Sequence, residues 1–261
     1  MLHLFAMLAA VLMTTPMLPR THTVTPLPRF LTPPVSREIL DPEDGSLTYG
    51  PYGQVWRVPM QRREIALTFD DGPYPFYTPL LLHVLERSGV PATFFIVGRS
   101  AQEFPALVRR IVVGGNELGD HTFNHYTLTG LSDYQIAYQI AAGGAFLQQF
   151  TGQPVTLFRP PHGRYNQHVV AIAHTLGFKT IFWSDSPDDV KNISPDIVVS
   201  RVLYYARPGA IVLMHSGQYK TIEALPEIIY RLRAAGYSFV TVSQLLRDGN
   251  YDQPAQWPIK P

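Results

Sequence analysis

The stretch Thr68-Phe69-Asp70-Asp71-Gly72-Pro73 decides how this chain folds and where its chemistry lies. Residues 63–69 predict a buried strand, and the Gly72-Pro73 pair predicts that the chain turns immediately afterwards. Two adjacent carboxylates at the end of a buried strand repel each other and lose hydration, so a positive group should lie close to them. A divalent metal ion could bind one carboxylate and leave the other free to act as a base.

The composition excludes several classes of function. The 261 residues include 21 Lys and Arg against 20 Asp and Glu, so nucleic acid and anionic membrane surfaces are poor candidate partners. The chain has no Cys, which excludes disulfides, a thiolate zinc site and a cysteine nucleophile. Its length fits one large α/β domain or two small ones. No obligate protein partner is evident, and the sequence does not indicate an oligomeric state.

The chain divides into four segments by composition. Residues 1–20 contain an uninterrupted apolar run of ten, at 4–13, which is too short to span a bilayer and suits the core of a signal peptide. We therefore expect export to the periplasm, the cell envelope or the medium, with an uncleaved anchor or a misplaced start codon as alternatives. Residues 21–60 form a Pro-rich arm, 61–248 the catalytic domain, and 249–261 a Pro-rich tail.

From residue 63 onward, apolar strand candidates alternate with helical segments. The strand candidates are 65–69, 92–97, 117–119, 155–158, 180–183, 210–214 and 238–242. This alternation predicts an α/β fold with parallel pairing and right-handed crossovers, either a doubly wound sheet or a closed barrel. Each reactive cluster follows a different strand, which favours a distorted (β/α) barrel of about seven parallel strands, because barrel strands converge on one site.

Helix boundaries are marked by capping residues. Ser132 with Gln135 predicts a capping box at the start of a long helix. Asn166 predicts the start of a second helix and Ser194, followed by a proline, the start of a third. Gly236 predicts the end of a helix over 222–235.

Two histidines follow the strand candidate at 117–119. His121 and His125, four residues apart, are expected to face the same way on a helical turn and to bind one ion together. With Asp71 they would form a three-ligand site that leaves positions open for water and substrate. Two imidazoles and one carboxylate suit zinc, with cobalt, manganese, iron and nickel as alternatives.

The next cluster is Phe158-Arg159-Pro160-Pro161-His162-Gly163. Its prolines and glycine predict a rigid loop whose backbone N–H groups could serve as donors to an oxyanion. A buried Arg159 would need a carboxylate, either Asp70 or Asp189. The alternative is a structural turn with a surface arginine.

Two further positions complete the set. His215 ends the apolar strand 210–214, where its pKa can be adjusted towards the operating pH, although a lone histidine there is more often structural. The loop after 180–183 is acidic and contains Asp189, and most acidic loops are merely solvated.

The blocks TFDDGP, HTFNH, FRPPHG and LMHS, in this order, resemble the polysaccharide deacetylase family (carbohydrate esterase family 4). The resemblance extends over about residues 63–246. It implies a distorted barrel of about seven strands and metal-dependent removal of acetyl groups from N-acetylated sugars in a polysaccharide such as peptidoglycan or chitin.

The resemblance also implies roles for individual residues. Asp70 matches the general base, His215 the general acid, Arg159 the arginine that steadies the catalytic carboxylate, and Asp189 the acid that tunes the histidine. Asp71, His121 and His125 match the ligands of a divalent metal ion, with Zn²⁺ expected and Co²⁺, Mn²⁺, Fe²⁺ or Ni²⁺ possible.

Three positions concern the substrate. Leu213 matches an apolar residue that lines the acetyl pocket. His162 stands where the family usually has Tyr, so its backbone N–H should still contact the oxyanion while its side chain binds sugar or packs; a metal contact is a third possibility. Val190 stands where the family often has Trp, which removes a stacking surface.

Four other functions compete with N-deacetylation. An O-acetyl xylan esterase of the same fold needs nearly the same residues. A small-molecule amide hydrolase, a non-catalytic polysaccharide-binding protein and a zinc phosphoesterase fit less well, because the metal ligands and both proton-transfer residues are present without a second metal cluster.

Overall fold

The strand that carries the paired aspartates is the central strand of the fold. A computed structural model describes residues 49–251 of the protein. In it β2 (Glu64–Asp70) is buried at every position, as its continuous apolar run predicts. It pairs in parallel with the neighbouring strands β3 (Thr93–Ile96), β7 (Ala210–His215) and β8 (Ser238–Phe239).

The described residues form eight strands, all paired in parallel. The remaining strands are β1 (Gln54–Val55), β4 (Glu117–Asp120), β5 (Leu157–Phe158) and β6 (Lys179–Ile181). Their order is β1-β6-β5-β4-β3-β2-β7, with β8 added beside β2. Single bridges from Arg57 to Ala210 and from Asp185 to Val212 connect β7 with the segments after β1 and β6. The predicted distorted (β/α) barrel is therefore confirmed.

From β2 onward, helices separate consecutive strands, as parallel pairing requires. They are α1 (Tyr77–Ser88), α2 (Gly98–Glu103), α3 (Pro105–Val113), α4 (Asp133–Thr151), α5 (Gln167–Thr175), α6 (Pro195–Tyr205), α7 (Tyr219–Ala234) and α8 (Val242–Asp248), with short 3₁₀ turns at Leu128–Gly130 and Pro161–Gly163. The Ser132 capping box is formed in both directions, and Asn166 caps α5 by accepting from Val169 N. Ser194 precedes α6 but makes no side-chain cap.

The alternation of side chains along β2 divides the interior into two layers. Ile65, Leu67 and Phe69 pack outward against α1 and α7 in the larger core. Ala66 points into the barrel, where it packs with residues that include Phe95 of β3. Thr68 and Asp70 follow at the same period of two, so the carboxylate of Asp70 faces the barrel interior at its upper end.

The sequence missed two elements. β1 lies within the stretch 21–60, which shows no periodicity, and two residues are too few to show any; pairing with β6 creates the strand. The strand candidate 238–242 stops at Phe239, because Val242 begins α8, whose cap is the Thr241 side chain. Val242, Leu245 and Leu246 pack into the inner cluster of the barrel.

The predicted signal segment at 1–20 and most of the predicted arm and tail lie outside the described residues. Among the residues that are described, no helix is both long enough and apolar enough to cross a membrane.

Candidate active site

The candidate residues converge at one end of the barrel. Asp70 ends β2 and Asp71 follows it, His121 follows β4, Arg159 follows β5 and His215 ends β7. These are carboxyl ends of parallel strands, where the side chains of a barrel meet. Asp70 of β2 and His215 of β7 are paired directly beside each other in the sheet, which fixes one side of the site.

Asp70 forms a buried ion pair with Arg159. Arg159 Nη1 donates to Asp70 Oδ1 over 2.7 Å, and the Arg159 side chain is fully buried. Asp189, the other carboxylate that the sequence left open as a partner, binds elsewhere. This arrangement occupies Oδ1 of Asp70, while Oδ2 lies 3.8 Å from His121 Nε2.

Arg159 is fixed by further contacts. Its guanidinium also donates to Thr68 Oγ1 at 2.8 Å and to the carbonyls of Ile181 and Phe182, each at 3.0 Å. It lies 4.0 Å over the ring of Phe95, so one face of the cation rests on an aromatic surface. A buried arginine that uses its donors in this way is a structural support for one carboxylate orientation.

Asp71, His121 and His125 form a group that could hold a metal ion. One ligand atom from each lies within 4.8 Å of the other two. Asp71 Oδ1 is 3.4 Å from His121 Nε2 and 3.1 Å from His125 Nε2. Burial opposes the charge of Asp71, but the two imidazoles outweigh it and hold its pKa well below the usual range.

Hydrogen bonding tests whether these residues suit a cation. His121 Nδ1 lies 2.7 Å from the carbonyl oxygen of Arg159, so Nδ1 carries a proton and Nε2 is the nitrogen that would offer a lone pair to an ion. His125 Nε2 is buried and, among the residues that the structure describes, makes no hydrogen bond despite its proximity to Asp71. Two imidazole nitrogens and one carboxylate, with one nitrogen unsatisfied, fit a bound divalent ion.

The prediction that His121 and His125 share a helical turn is wrong. They lie in an irregular loop after β4, in which Thr122 and His125 adopt positive φ angles of 66° and 59°. The loop is held by Phe123 N donating to Gln139 O at 2.9 Å and by the Thr122 hydroxyl, which accepts from His125 N at 3.0 Å. Backbone strain of this kind costs about 1–3 kcal/mol a residue and clusters at functional sites.

His215 and Asp189 form a second buried pair. Asp189 Oδ1 accepts from His215 Nδ1 at 2.7 Å, and Oδ2 accepts from His215 N at 2.8 Å and from Thr221 Oγ1 at 2.6 Å. Burial disfavours the charged imidazole, but the hydrogen bond and charge of Asp189, with the charges of Asp70 and Asp71, raise the pKa of His215 to about 9. His215 is therefore protonated at neutral pH.

The three predicted substrate residues lie around this site. The ring of His162 packs edge-on against that of His125, with centroids 4.8 Å apart, and His162 is not in the ligand group. Burial, and then the neighbouring His125, lower its pKa. Leu213 lies two residues before His215 on the same face of β7, and Val190 is exposed beside Asp189.

Sequence analysis missed Thr68 and Thr221, which bind Arg159 and Asp189. Thr68 lies two residues before Asp70 on one face of β2, and that spacing is the one signal that could have found it. Nothing in the sequence marks Thr221, which reaches Asp189 only because α7 begins next to β7.

The fold is a (β/α) barrel, and its site combines an Asp-His-His group with a buried Asp–Arg pair and a buried Asp–His pair. This combination defines a class of barrel hydrolases with a metal-ion site. Residues 57–181 match the family model described as polysaccharide deacetylase. The chain is 40% identical, over 203 residues, to a peptidoglycan-N-acetylglucosamine deacetylase of Bacillus cereus, covering 76% of this chain and 95% of that one. The chain therefore belongs to the polysaccharide deacetylase family.

Solved structures agree with this assignment. A peptidoglycan N-acetylglucosamine deacetylase superposes with a TM-score of 0.72 at 33% identity, covering 74% of this chain and 92% of that one. A family 4 pseudoenzyme from Bacillus anthracis superposes with a TM-score of 0.71 at 32% identity, covering 75% and 69%. Because active enzymes and a pseudoenzyme share the fold, activity depends on the side chains present in the site.

Proposed function

We propose that the protein is a metal-dependent hydrolase that removes acetyl groups from N-acetylglucosamine residues of a polysaccharide, peptidoglycan or chitin-like, and releases acetate. One observation carries this proposal: the adjacent carboxylates of Asp70 and Asp71 have different partners. Arg159 holds the first and two imidazoles flank the second, so one is available as a base and the other as a metal ligand.

We assign the metal position to Asp71, His121 and His125, and Zn²⁺ to the ion. When bound, the ion supplies Lewis-acid chemistry, polarising the acetyl carbonyl and lowering the pKa of a water molecule. Borderline-soft nitrogen ligands with one carboxylate favour Zn²⁺, and Co²⁺, Mn²⁺, Fe²⁺ and Ni²⁺ accept the same donors.

Asp70 is assigned as the general base. Arg159 occupies Oδ1, so Oδ2 is the oxygen that faces the ligand group and can take a proton from the attacking water. The hydrogen bonds that fix Arg159 keep this oxygen in place, which reduces the reorganisation needed during reaction.

His215 is assigned as the general acid. Its raised pKa, about 9, keeps it protonated at neutral pH, and Asp189 fixes Nδ1 so that Nε2 is the atom that donates. The amine leaves poorly as an anion, so an acid must donate a proton to its nitrogen when the bond to the acetyl carbon breaks.

The remaining positions are assigned to the acetyl group. The backbone N–H of His162, in the turn at Pro161–Gly163, would donate to the oxyanion. Leu213, buried on the same face of β7 as His215, would contact the acetyl methyl. On the sequence alone, we also propose export through residues 1–20, since peptidoglycan lies outside the cell membrane.

The deciding experiment measures acetate release by purified, zinc-loaded protein from chitin oligomers, peptidoglycan and acetylxylan. The proposal expects release from one or both of the N-acetylated polymers and little from acetylxylan. Preferential release from acetylxylan would identify an O-acetyl esterase instead. Binding of polymer without any release, by protein with a full complement of metal, would indicate a non-catalytic polysaccharide-binding protein.

A further inference from the structure

A pocket of about 270 Å³ opens beside the metal-ligand group. Its lining includes Asp71 and His125, and also the polar residues Arg99, Ser100 and Asn124. None of these last three residues belongs to the set assigned to the chemistry. The pocket is therefore positioned to receive a part of the substrate that neighbours the reacting acetyl group.

The backbone at Arg99 is anchored to both loops that carry metal ligands. Val97 N donates to Gly72 O at 3.2 Å, and Arg99 N donates to Phe123 O at 2.8 Å. Gly98 lies so close to Phe123 that an added Cβ would stand 2.6 Å from its ring. The segment that presents Arg99 is thus fixed relative to Asp71 and His125, although the Arg99 side chain is exposed.

The guanidinium of Arg99 has no protein partner within residues 49–251. It makes no ion pair or side-chain hydrogen bond there, and Glu103, four residues later on α2, does not pair with it. A planar cation with its donors unused, in a pocket beside the reacting position, suits a carboxylate of the ligand.

A second exposed arginine, Arg164, lies outside this pocket, in a loop on the other side of the His121–His125 loop. Arg164 follows His162 by two residues in the loop after β5, whereas Arg99 follows β3, and β4 lies between these strands. Arg164 is exposed and, in the part of the chain that the structure describes, also has no ion pair.

Building on the proposed function, we infer that Arg99 and Arg164 bind carboxylates carried by the sugars on either side of the N-acetylglucosamine that is deacetylated. Peptidoglycan has this chemistry, because every N-acetylglucosamine is flanked by sugars with a lactyl group, which ends in a carboxylate or bears an acidic peptide. Chitin carries no charge at these positions. The two arginines would therefore give the enzyme a preference for the anionic glycan.

The test compares kcat/KM on three substrates: peptidoglycan strands with their peptides, strands freed of peptides, and a chitin oligomer. We expect Arg99→Gln and Arg164→Gln each to lower kcat/KM on the strands roughly fivefold, mainly through KM. Activity on the chitin oligomer should stay within about twofold, and raising the salt concentration should reduce the difference. Arg110→Gln, which removes an exposed charge from α3, is the matched control and should change nothing.

The substrates also separate the two sources of charge. If the arginine variants have a lower kcat/KM on peptide-free strands, the arginines bind the lactyl carboxylate. If kcat/KM falls only on intact strands, they bind carboxylates of the peptide. Equal losses on chitin and on the strands, or no loss, would overturn the inference. If wild-type protein releases no acetate from any polymer, the proposed function fails; binding of peptide-free strands, measured by equilibrium dialysis, still decides whether the two arginines recognise them.

Discussion

Arg159 and Asp70, which are 89 residues apart in the chain, form a buried ion pair in which Nη1 of the arginine donates to Oδ1 of the carboxylate over 2.7 Å. Both charges are buried away from bulk water, so neither would be solvated if its partner were removed. The pair joins the end of β2 to the end of β5 and aligns the remaining Asp70 oxygen with the metal-ligand group.

Removing the arginine should therefore cost both stability and activity. We expect Arg159→Met to lower the free energy of unfolding by about 3–5 kcal/mol, because it leaves the Asp70 carboxylate buried without a partner. Arg159→Lys keeps the charge but loses the forked donors, so it should recover stability better than activity. Urea unfolding with acetate release on the same samples measures both, and an unchanged unfolding free energy for Arg159→Met would contradict the assignment.

Asp70→Asn tests the base. The amide keeps the shape of the side chain but cannot take a proton, so acetate release should fall roughly 10²- to 10⁴-fold. Metal content, measured on the same preparation, should match wild type because Asp71, His121 and His125 are intact. Full activity in the metal-loaded variant would exclude Asp70 as the base.

The pH profile tests the acid. His215 donates only when protonated, so activity should persist below its pKa of about 9 and be lost as pH rises through that value. Asp189→Asn removes the negative charge that helps to raise this pKa and leaves only a neutral amide oxygen as acceptor, so the alkaline limb of kcat/KM should move down by roughly one pH unit or more.

Thr221→Val is a milder change that should shift the same alkaline limb by a smaller amount. It deletes one donor to Asp189 without touching His215, so its alkaline limb should move less than that of Asp189→Asn. An alkaline limb that stays in place in Asp189→Asn would show that another group controls it.

Metal binding should stabilise the native protein. An ion that binds only the folded chain raises the melting temperature with its concentration. We expect Zn²⁺ to raise Tm of the chelator-stripped wild type and to have a much smaller effect on His121→Ala and His125→Ala. His83→Ala, at an exposed position on α1, is the control and should respond as wild type does. Equal Tm responses in all variants would exclude the Asp71-His121-His125 site.

Gly143→Ala tests the close contact between α4 and the side chain of Asp120, next to the loop that carries His121 and His125. Replacing glycine by alanine inside a helix normally stabilises by about 1 kcal/mol. In α4, however, the added Cβ would stand 2.0 Å from Asp120 Oδ1, on a buried side chain next to His121, so we expect destabilisation by about 1–3 kcal/mol. Gly130→Ala meets nothing within 4 Å and should be neutral, as thermal unfolding can show.

The sequence predicted features that local chemistry controls. The apolar run before Asp70 predicted β2, and side-chain capping residues predicted the starts of α4 and α5, because a strand or a cap depends on neighbours within a few residues. Residue type and position after strands indicated the metal ligands, and the resemblance of short blocks supplied the individual roles. The helical geometry predicted for His121 and His125 was wrong because the loop donates backbone hydrogen bonds to Gln139 of α4, which hold it in another conformation.

By itself, the sequence determined the fold class, the strand ends at which polar groups gather and the residue types available for metal and proton chemistry. Only the tertiary structure decided that Arg159 pairs with Asp70 while Asp189 pairs with His215, and that Arg99 has no partner among residues 49–251. The physical reason is that a buried charge is satisfied by whichever group the packed barrel brings within hydrogen-bond distance, and spacing along the chain does not encode that distance.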